Sequence, residues 1–237
     1  MTERGRGQVG RASSALTIGP SRLTWDGDTL VIRVDEVTAP APRRIRGAVR
    51  VYPKALTSRA FALDPAGRHR WWPIAPSAHV EVTLEQPAVR WSGDGYLDSN
   101  TGTAPLEGDF QSWNWSRTSL ARTTAVLYDV VPCDGVERSL ALRFDPNGQV
   151  EEFAPPVPVR LTPTLWRIAR ATRADDARST KVVKTLEDAP FYARSLLSTR
   201  LLGQSGAAVH ESLSLQRFRA RWVQALLPFR MPRAWRR

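Results

Sequence analysis

Apolar and polar residues alternate with a period of two through most of this chain, which is the signature of strands with one face buried. Leu23 and Trp25 lead into Asp26-Gly27, and Leu30, Ile32 and Val34 return, so a hairpin is predicted there. The same alternation predicts strands over 47–52, 79–84, 125–131 and 140–144, the last meeting 150–153 across Pro146-Asn147-Gly148. Further strands are expected over 165–171, 181–186, 192–199 and 209–215. Strands at this spacing with no helices between them point to antiparallel sandwiches or barrels. Helical spacing emerges only near the end, where Phe218, Trp222 and Leu226 recur among arginines over 215–227, with Pro228 expected to stop the helix.

The first twenty residues, rich in Gly, Arg and Ser, show no periodicity and are expected to be a mobile lead-in. A boundary is expected near 105–115, giving an N-terminal domain over 1–110 and a C-terminal one over 111–237 that ends in the amphipathic helix. The Pro-rich stretch at 154–158 is short and flanked by strand patterns, so it reads as a connection between strands.

Composition narrows the class. Of 237 residues, 42% are hydrophobic, enough for one substantial core or two small ones. The single cysteine, Cys133, excludes an internal disulfide framework and favours a reducing compartment. No apolar run reaches the eighteen or so residues that cross a bilayer, and the first residues lack the apolar centre of a signal peptide, so a cytoplasmic, soluble or peripheral protein is expected. The net charge of +11 invites nucleic acid, but the cations are almost all arginines interleaved with apolar residues, and no zinc-finger, Walker or RNA-recognition pattern is present. Nucleic acid is therefore set aside, and the anionic face of a membrane becomes the better partner for this charge. The C-terminal PFRMPRAWRR, with Trp235 among arginines, suits a headgroup region.

Chemistry concentrates between Gly93 and Arg117, where carboxylates, Tyr96, Asn100, Trp113 and Trp115 crowd between glycines. A carboxyl group beside aromatic surface is disfavoured in its charged form and can donate a proton near neutral pH. Asp98 is the candidate. The alternative is that Asp98, Ser99 and Asn100 are turn formers and that the two tryptophans anchor a strand. No metal is expected, because His69, His79 and His210 lie far apart and Cys133 stands alone. No nucleophile elbow and no phosphate loop is present, which leaves acid chemistry without a cofactor.

Several motifs together resemble one family. They are WSGDGYLDSNTGTAPLE at 91–107, FQSWNWSR at 110–117, Arg46-Gly47, the W-x-P-x-A-P stretch at 71–76, LRFDPNG at 142–148, DAPFYAR at 188–194 and VHESLSLQRF at 209–218. This set resembles the bacterial carotenoid 1,2-hydratases, also called hydroxyneurosporene synthases, over about residues 14 to 233. The resemblance implies an all-β fold of tandem lipocalin-like antiparallel barrels or sandwiches with a short C-terminal helix. It also implies a hydro-lyase reaction without cofactor or metal, in which water adds across the terminal C1=C2 bond of an acyclic carotenoid such as neurosporene or lycopene. Residue by residue, the family's catalytic acid falls on Asp98, its neighbouring tyrosine on Tyr96 and its tryptophan on Trp71. Members of the family usually begin with a further aromatic- and His-rich stretch, so the chain is expected to start at a position internal to its relatives or to lack their first strands.

The residue types suit that chemistry. An isolated trisubstituted alkene is a very weak base, so its protonation at C2 calls for a neutral carboxylic acid in a water-poor pocket. The tertiary cation left at C1 is stabilised by aromatic faces at about 0.5–2 kcal/mol each, for which Trp71 and Tyr96 are placed first and Trp113 and Trp115 in reserve. Asn100 and Glu107 are candidates for holding the attacking water. The expected partners are an acyclic carotenoid and the surface of the inner, photosynthetic membrane, with the protein peripheral to it. A lipocalin-like carrier that binds polyenes without reacting, and a glycan-active protein with paired carboxylates, are the competing readings.

Overall fold

The computed structural model describes residues 4–38 and 41–230. Antiparallel strand dominates the described residues, which form two compact units that interleave along the sequence: the described residues of 1–56, 77–97 and 224–237 in one, residues 57–76 and 98–223 in the other. The boundary expected near 110 falls inside the second unit, just after a single helical turn, α1 (Leu106–Asp109).

In the first unit β1 (Val9–Ala12), β2 (Ala15–Ile18), β3 (Ser21–Asp26), β4 (Thr29–Val37) and β5 (Arg44–Pro53) follow one another as a meander. The predicted hairpin at Asp26-Gly27 is there, with Gly27 at φ 59°, the positive value that a tight hairpin turn asks for. The expectation of an unstructured lead-in is corrected by β1 and β2. Their residues lack an apolar rhythm because little of either strand is buried: β1 is the sheet edge and β2 the next strand in, held by backbone pairing to β1 and β3. Leu30, Val51 and Ala78 form the buried centre, with Leu23, Trp25, Ile32 and Val49 packed on it. Where β5 meets the following long strand, a Cβ on Gly47 would sit 2.4 Å from the Thr83 carbonyl oxygen. Only glycine fits that approach, and the register shifts there.

After β6 (Phe61–Ala62), two long strands, β7 (His69–Gln86) and β8 (Val89–Gly102), form a hairpin that runs through both units. Their length far exceeds the 79–84 segment expected from alternation. Pro73 and Pro76 broke the pattern in sequence, but β7 accommodates both. Asp98, Ser99 and Asn100 lie within β8, so the turn-former reading is overturned: cross-strand pairing with β7 holds them extended.

The second unit is built on a seven-stranded sheet of β9 (Phe110–Ser119), β10 (Thr124–Pro132), β11 (Arg138–Phe144), β12 (Val150–Glu152), β15 (Lys181–Asp188), β16 (Tyr192–Leu201) and β17 (Gln204–Ser214). Its order is β12-β11-β10-β9-β17-β16-β15, and β13 (Pro158–Leu161) pairs separately with β14 (Arg170–Arg173). Strand β10 is buried on both faces. Ala125 and Leu127 pack with Ala141 and Leu201 on one side, while Val126 and Tyr128 are covered on the other. Double burial is why its sequence reads as a continuous apolar run.

Two local expectations fail here. The strand predicted over 165–171 is a loop until Arg170. Thr164 and Ile168 close on each other, the Arg167 amide bonds the Thr164 carbonyl, and Arg167 takes a positive φ of 55°. The single helix predicted over 215–227 is two: α2 (Leu215–Phe218), capped by the Ser214 hydroxyl, and α3 (Arg221–Arg230). The break comes at Ala220, whose amide turns back to the Arg217 carbonyl. Pro228 does not end α3. It forfeits one backbone bond, and the helix continues two residues past it.

Candidate active site

The hairpin of β7 and β8 brings the acid and its first partner together. Trp71 is fully buried, and its indole N–H donates to Asp98 Oδ2 at 2.8 Å. Asp98 itself is half-buried. Strand alternation sets this up, because Trp71 shares its buried face with His69, Pro73 and Ala75. An indole N–H is a donor with no acceptor capacity, so this contact fixes the position of one carboxyl oxygen.

Around Trp71 the rings interlock. Phe61 lies 5.7 Å from it, and Tyr128 meets it edge-on at 5.5 Å and 82°. Trp113 continues the series at 6.2 Å from Tyr128, and Phe110 at 6.2 Å from Trp113. Such edge-to-face pairs add about 0.5–1.5 kcal/mol each beyond the area they bury, so the wall is stiff as well as apolar. Tyr128 is buried, and its phenol is pushed well above the ordinary range, first by desolvation and then by the charges of Asp98 and Glu211. It therefore stays neutral at any working pH.

A second polar group closes the cluster. His69 is buried, with Phe110 edge-on to it at 4.9 Å. Its Nε2 contacts Asp109 Oδ2 at 2.6 Å, and Asp109 also pairs with Arg68. With Asp109 accepting, Nε2 carries a proton, and in the neutral ring Nδ1 is then the acceptor. Among the described residues Nδ1 has no hydrogen-bond partner, and a Cβ on Gly102 would stand 2.7 Å from it. The His69 amide is anchored in turn by Asp64 Oδ2 at 2.7 Å. A cavity of about 270 Å³ is lined by His69, Asn100, Gly102, Leu106, Trp113 and Tyr128 among others.

The residues named from sequence separate in this geometry. Trp71 and Asp98 are in direct contact, Trp113 belongs to the aromatic wall and the cavity, and Asn100 sits at the cavity's exposed edge. Tyr96 is half-buried on β8 two residues before Asp98 and is not part of the cavity lining. Trp115 is buried opposite Tyr128 in the β9–β10 register, two pairs beyond Trp113, and does not line the cavity. Glu107 lies on α1 and is likewise absent from the lining. Tyr128, Phe61, Phe110 and the His69–Asp109 pair were not found from sequence. Tyr128 and His69 sit in ordinary strand patterns, and Asp109 is one of several acids in its segment. His210, which is not part of this cavity's lining, is buried, with Nε2 at 2.8 Å from the Ala171 carbonyl oxygen. Burial pushes its pKa down to about 4, with the Arg170 charge adding and the Ala171 bond and Asp129 opposing. No group of three or more His, Cys, Asp or Glu among the described residues could hold a metal ion.

The strand topology defines a lipocalin-like β protein, here with the Asp98 carboxyl group bonded to one ring of an aromatic cluster, Asp98 and Trp71 themselves lying outside the cavity lining. Solved structures support that fold. The chain superposes on an AttH-type protein of Nitrosomonas europaea with a TM-score of 0.56 at 10% identity, covering 88% of this chain and 72% of that one. CghA with Sch210972 gives 0.55 at 11% identity, covering 87% and 69%. The sequence then specifies the family: residues 1–237 match the carotenoid hydratase CrtC description, and the chain belongs to that family. It is 58% identical over 98% of its length to the acyclic carotenoid 1,2-hydratase of Thiocapsa roseopersicina, and 48% identical over 98% to that of Rubrivivax gelatinosus. The enzyme of the same name from Cereibacter sphaeroides is 38% identical and is covered over 84% of its length. The chain spans 58% of the length of each of the first two relatives.

Proposed function

We propose that this chain carries the hydration of the terminal C1=C2 bond of an acyclic carotenoid such as neurosporene or lycopene. The observation that bears most weight is the 2.8 Å contact from Trp71 to Asp98 beside an aromatic wall. Asp98, as the neutral acid, delivers its proton to C2. The π electrons of the double bond form the new C2–H bond, and C1 becomes a tertiary cation. Tyr128 and Trp113, which line the cavity, face this charge with ring quadrupoles, an interaction that water would weaken and that exclusion of water strengthens, while Trp71 behind them holds the acid. Water then adds its oxygen to C1 and loses one proton, which returns the site to its starting charge when it reaches the Asp98 carboxylate.

His69, held by Asp109, is the group we assign to receive that proton first and pass it on. Its Nδ1 is the acceptor in the tautomer described above, and the ring lines the same cavity as Asn100. Tyr96, from its place on β8, is proposed to border the substrate's end, and Trp115 and Glu107 to support the wall and α1 from outside the cavity. The carotenoid is an oil, so the protein works at a membrane surface to which its net charge of +11 draws it. No helix among the described residues is long and apolar enough to cross a membrane.

The test is incubation of the purified protein with liposomal lycopene in ¹⁸O water. The expected product carries one ¹⁸O at C1, and Asp98→Asn binds the carotenoid without forming it. A protein that binds equally well in both forms and yields no labelled product from either is a carrier.

A further inference from the structure

Outside the proposed site, the second unit holds a larger cavity of about 610 Å³. Four arginines line it, Arg160, Arg167, Arg170 and Arg217, together with apolar Leu161 and Ile168, and its lining contains no carboxylate. Their surroundings differ. Arg170 is buried and spends its guanidinium on the Thr162 carbonyl at 2.7 Å and on the hydroxyls of Thr185 and Ser195 at 2.9 Å. Arg217 donates to the carbonyls of Trp166 and Pro190. Arg160 and Arg167 are exposed, and neither side chain has a hydrogen bond or ion pair with any described residue.

The loop over 162–169 forms the rim of this cavity. It is pinned from beneath, because Arg170 and Arg217 hold its carbonyls and Asp188 Oδ2 accepts the Trp166 amide at 3.3 Å. A loop tied down this way cannot fold its apolar tip away, yet Leu165 is 98% exposed. Beside it Trp166 and Trp222, both about half exposed, stack at 6.0 Å and 23°. Arg167 is held at φ 55°, a strained setting for a residue with a side chain, and strain of this kind collects where a loop is shaped for binding.

We propose that this loop is the bilayer-docking face of the protein. Leu165 enters the acyl boundary, the Trp166–Trp222 pair sits at headgroup depth, and an anionic phospholipid phosphate occupies the arginine-lined cavity. Tryptophan at the interface, an apolar tip and unpaired guanidinia for phosphate are the three chemistries such a surface requires, and all three meet on one loop. The inference rests on the reading that the substrate is drawn from a membrane, and gives that reading a place. It also connects the two cavities, since Trp113 lines both. Trp113 is thus the residue shared by the docking cavity and the proposed site.

Vesicle co-sedimentation of the full chain tests it, with carotenoid left out so that catalysis plays no part. Vesicles of phosphatidylcholine alone are compared with ones containing phosphatidylglycerol, with free phosphate as competitor. Wild type is expected to bind the anionic vesicles, to weaken with salt, and to resist millimolar phosphate, which separates a lipid headgroup from a free anion. Each nearby cation is worth about fivefold in partitioning, so Arg160→Gln with Arg167→Gln is expected to cost about 25-fold. Leu165→Asp, at a position so exposed that the fold does not depend on it, is expected to weaken binding at unchanged thermal midpoint. Wild-type binding by both variants overturns the docking face while leaving a peripheral protein. No binding of wild type to any vesicle overturns the membrane reading as well. Release by phosphate alone assigns the cavity to a soluble anion and overturns the proposal too.

Discussion

Removing the indole N–H while keeping an aromatic ring isolates what Trp71 does for Asp98. In Trp71→Phe the 2.8 Å bond to Oδ2 disappears, but a ring still stands between Phe61 and Tyr128. The bond strengthens as the neutral acid becomes a carboxylate, from about 0.5–1.5 to about 1.5–3 kcal/mol, and each 1.36 kcal/mol in the barrier is tenfold in rate. If that bond holds the acid in line with C2, the loss of this gain lowers kcat by about tenfold. KM is expected to change little, because the cavity lining does not include Trp71. The smaller ring also leaves space in a fully buried position, so a drop in stability of about 1–3 kcal/mol is expected and must be measured separately. The assay is the initial rate of 1-hydroxy product from liposomal carotenoid at saturation, with urea unfolding in parallel. In an Asp98→Asn background the Trp71→Phe change should add almost nothing to the loss of rate. Full kcat in folded Trp71→Phe, or additive losses in the double variant, would refute the positioning argument.

Gly102→Ala puts a methyl group 2.7 Å from His69 Nδ1, so the imidazole must shift from its present setting against Asp109. Turnover is expected to fall about tenfold or more, and by no further factor in a His69→Gln background; independent effects would contradict the proposed role of that ring. His210 gives a stability prediction. Its pKa of about 4 in the folded protein lies below the ordinary 6.5, so the unfolded chain binds more protons between these values and stability falls as pH drops through that window. The loss approaches about 3 kcal/mol near pH 4, and His210→Gln should flatten that part of the urea-midpoint profile. An unchanged profile would show that another group sets the acid limit.

Legibility of the fold followed burial. Strands with one apolar and one polar face, such as β4 and β16, announced themselves by alternation, and hairpins were marked by Asp26-Gly27 and Asn147-Gly148. The edge strand β1 and its neighbour β2 carry little apolar pattern because little of them is buried, and they were missed. The loop at 162–169 was misread because Leu165 and Trp166 look like core residues, and nothing local says that they face solvent. At the site, the pairing of Trp71 with Asp98 could be anticipated only through the family motifs, since the two lie 27 residues apart and meet through a hairpin longer than the pattern suggested. Tyr128 and His69 come from strands whose sequences give no sign of chemistry, and only the register of β10 on β9 and the position of Asp109 bring them in. Trp115 shows the limit of alternation as a guide. It shares a strand face with Trp113, but the cavity reaches only one of them.

The central claim is that the Asp98 carboxyl group gives a proton to C2 of an acyclic carotenoid, and proton inventory at the product's carbons tests it most directly. Turnover in D₂O, followed by mass spectrometry and NMR of the 1-hydroxy carotenoid, should place one deuterium at C2 and show a rate slowed by proton transfer. Asp98→Asn should bind carotenoid with wild-type affinity and incorporate none. Deuterated product formed at the wild-type rate by Asp98→Asn would contradict the account.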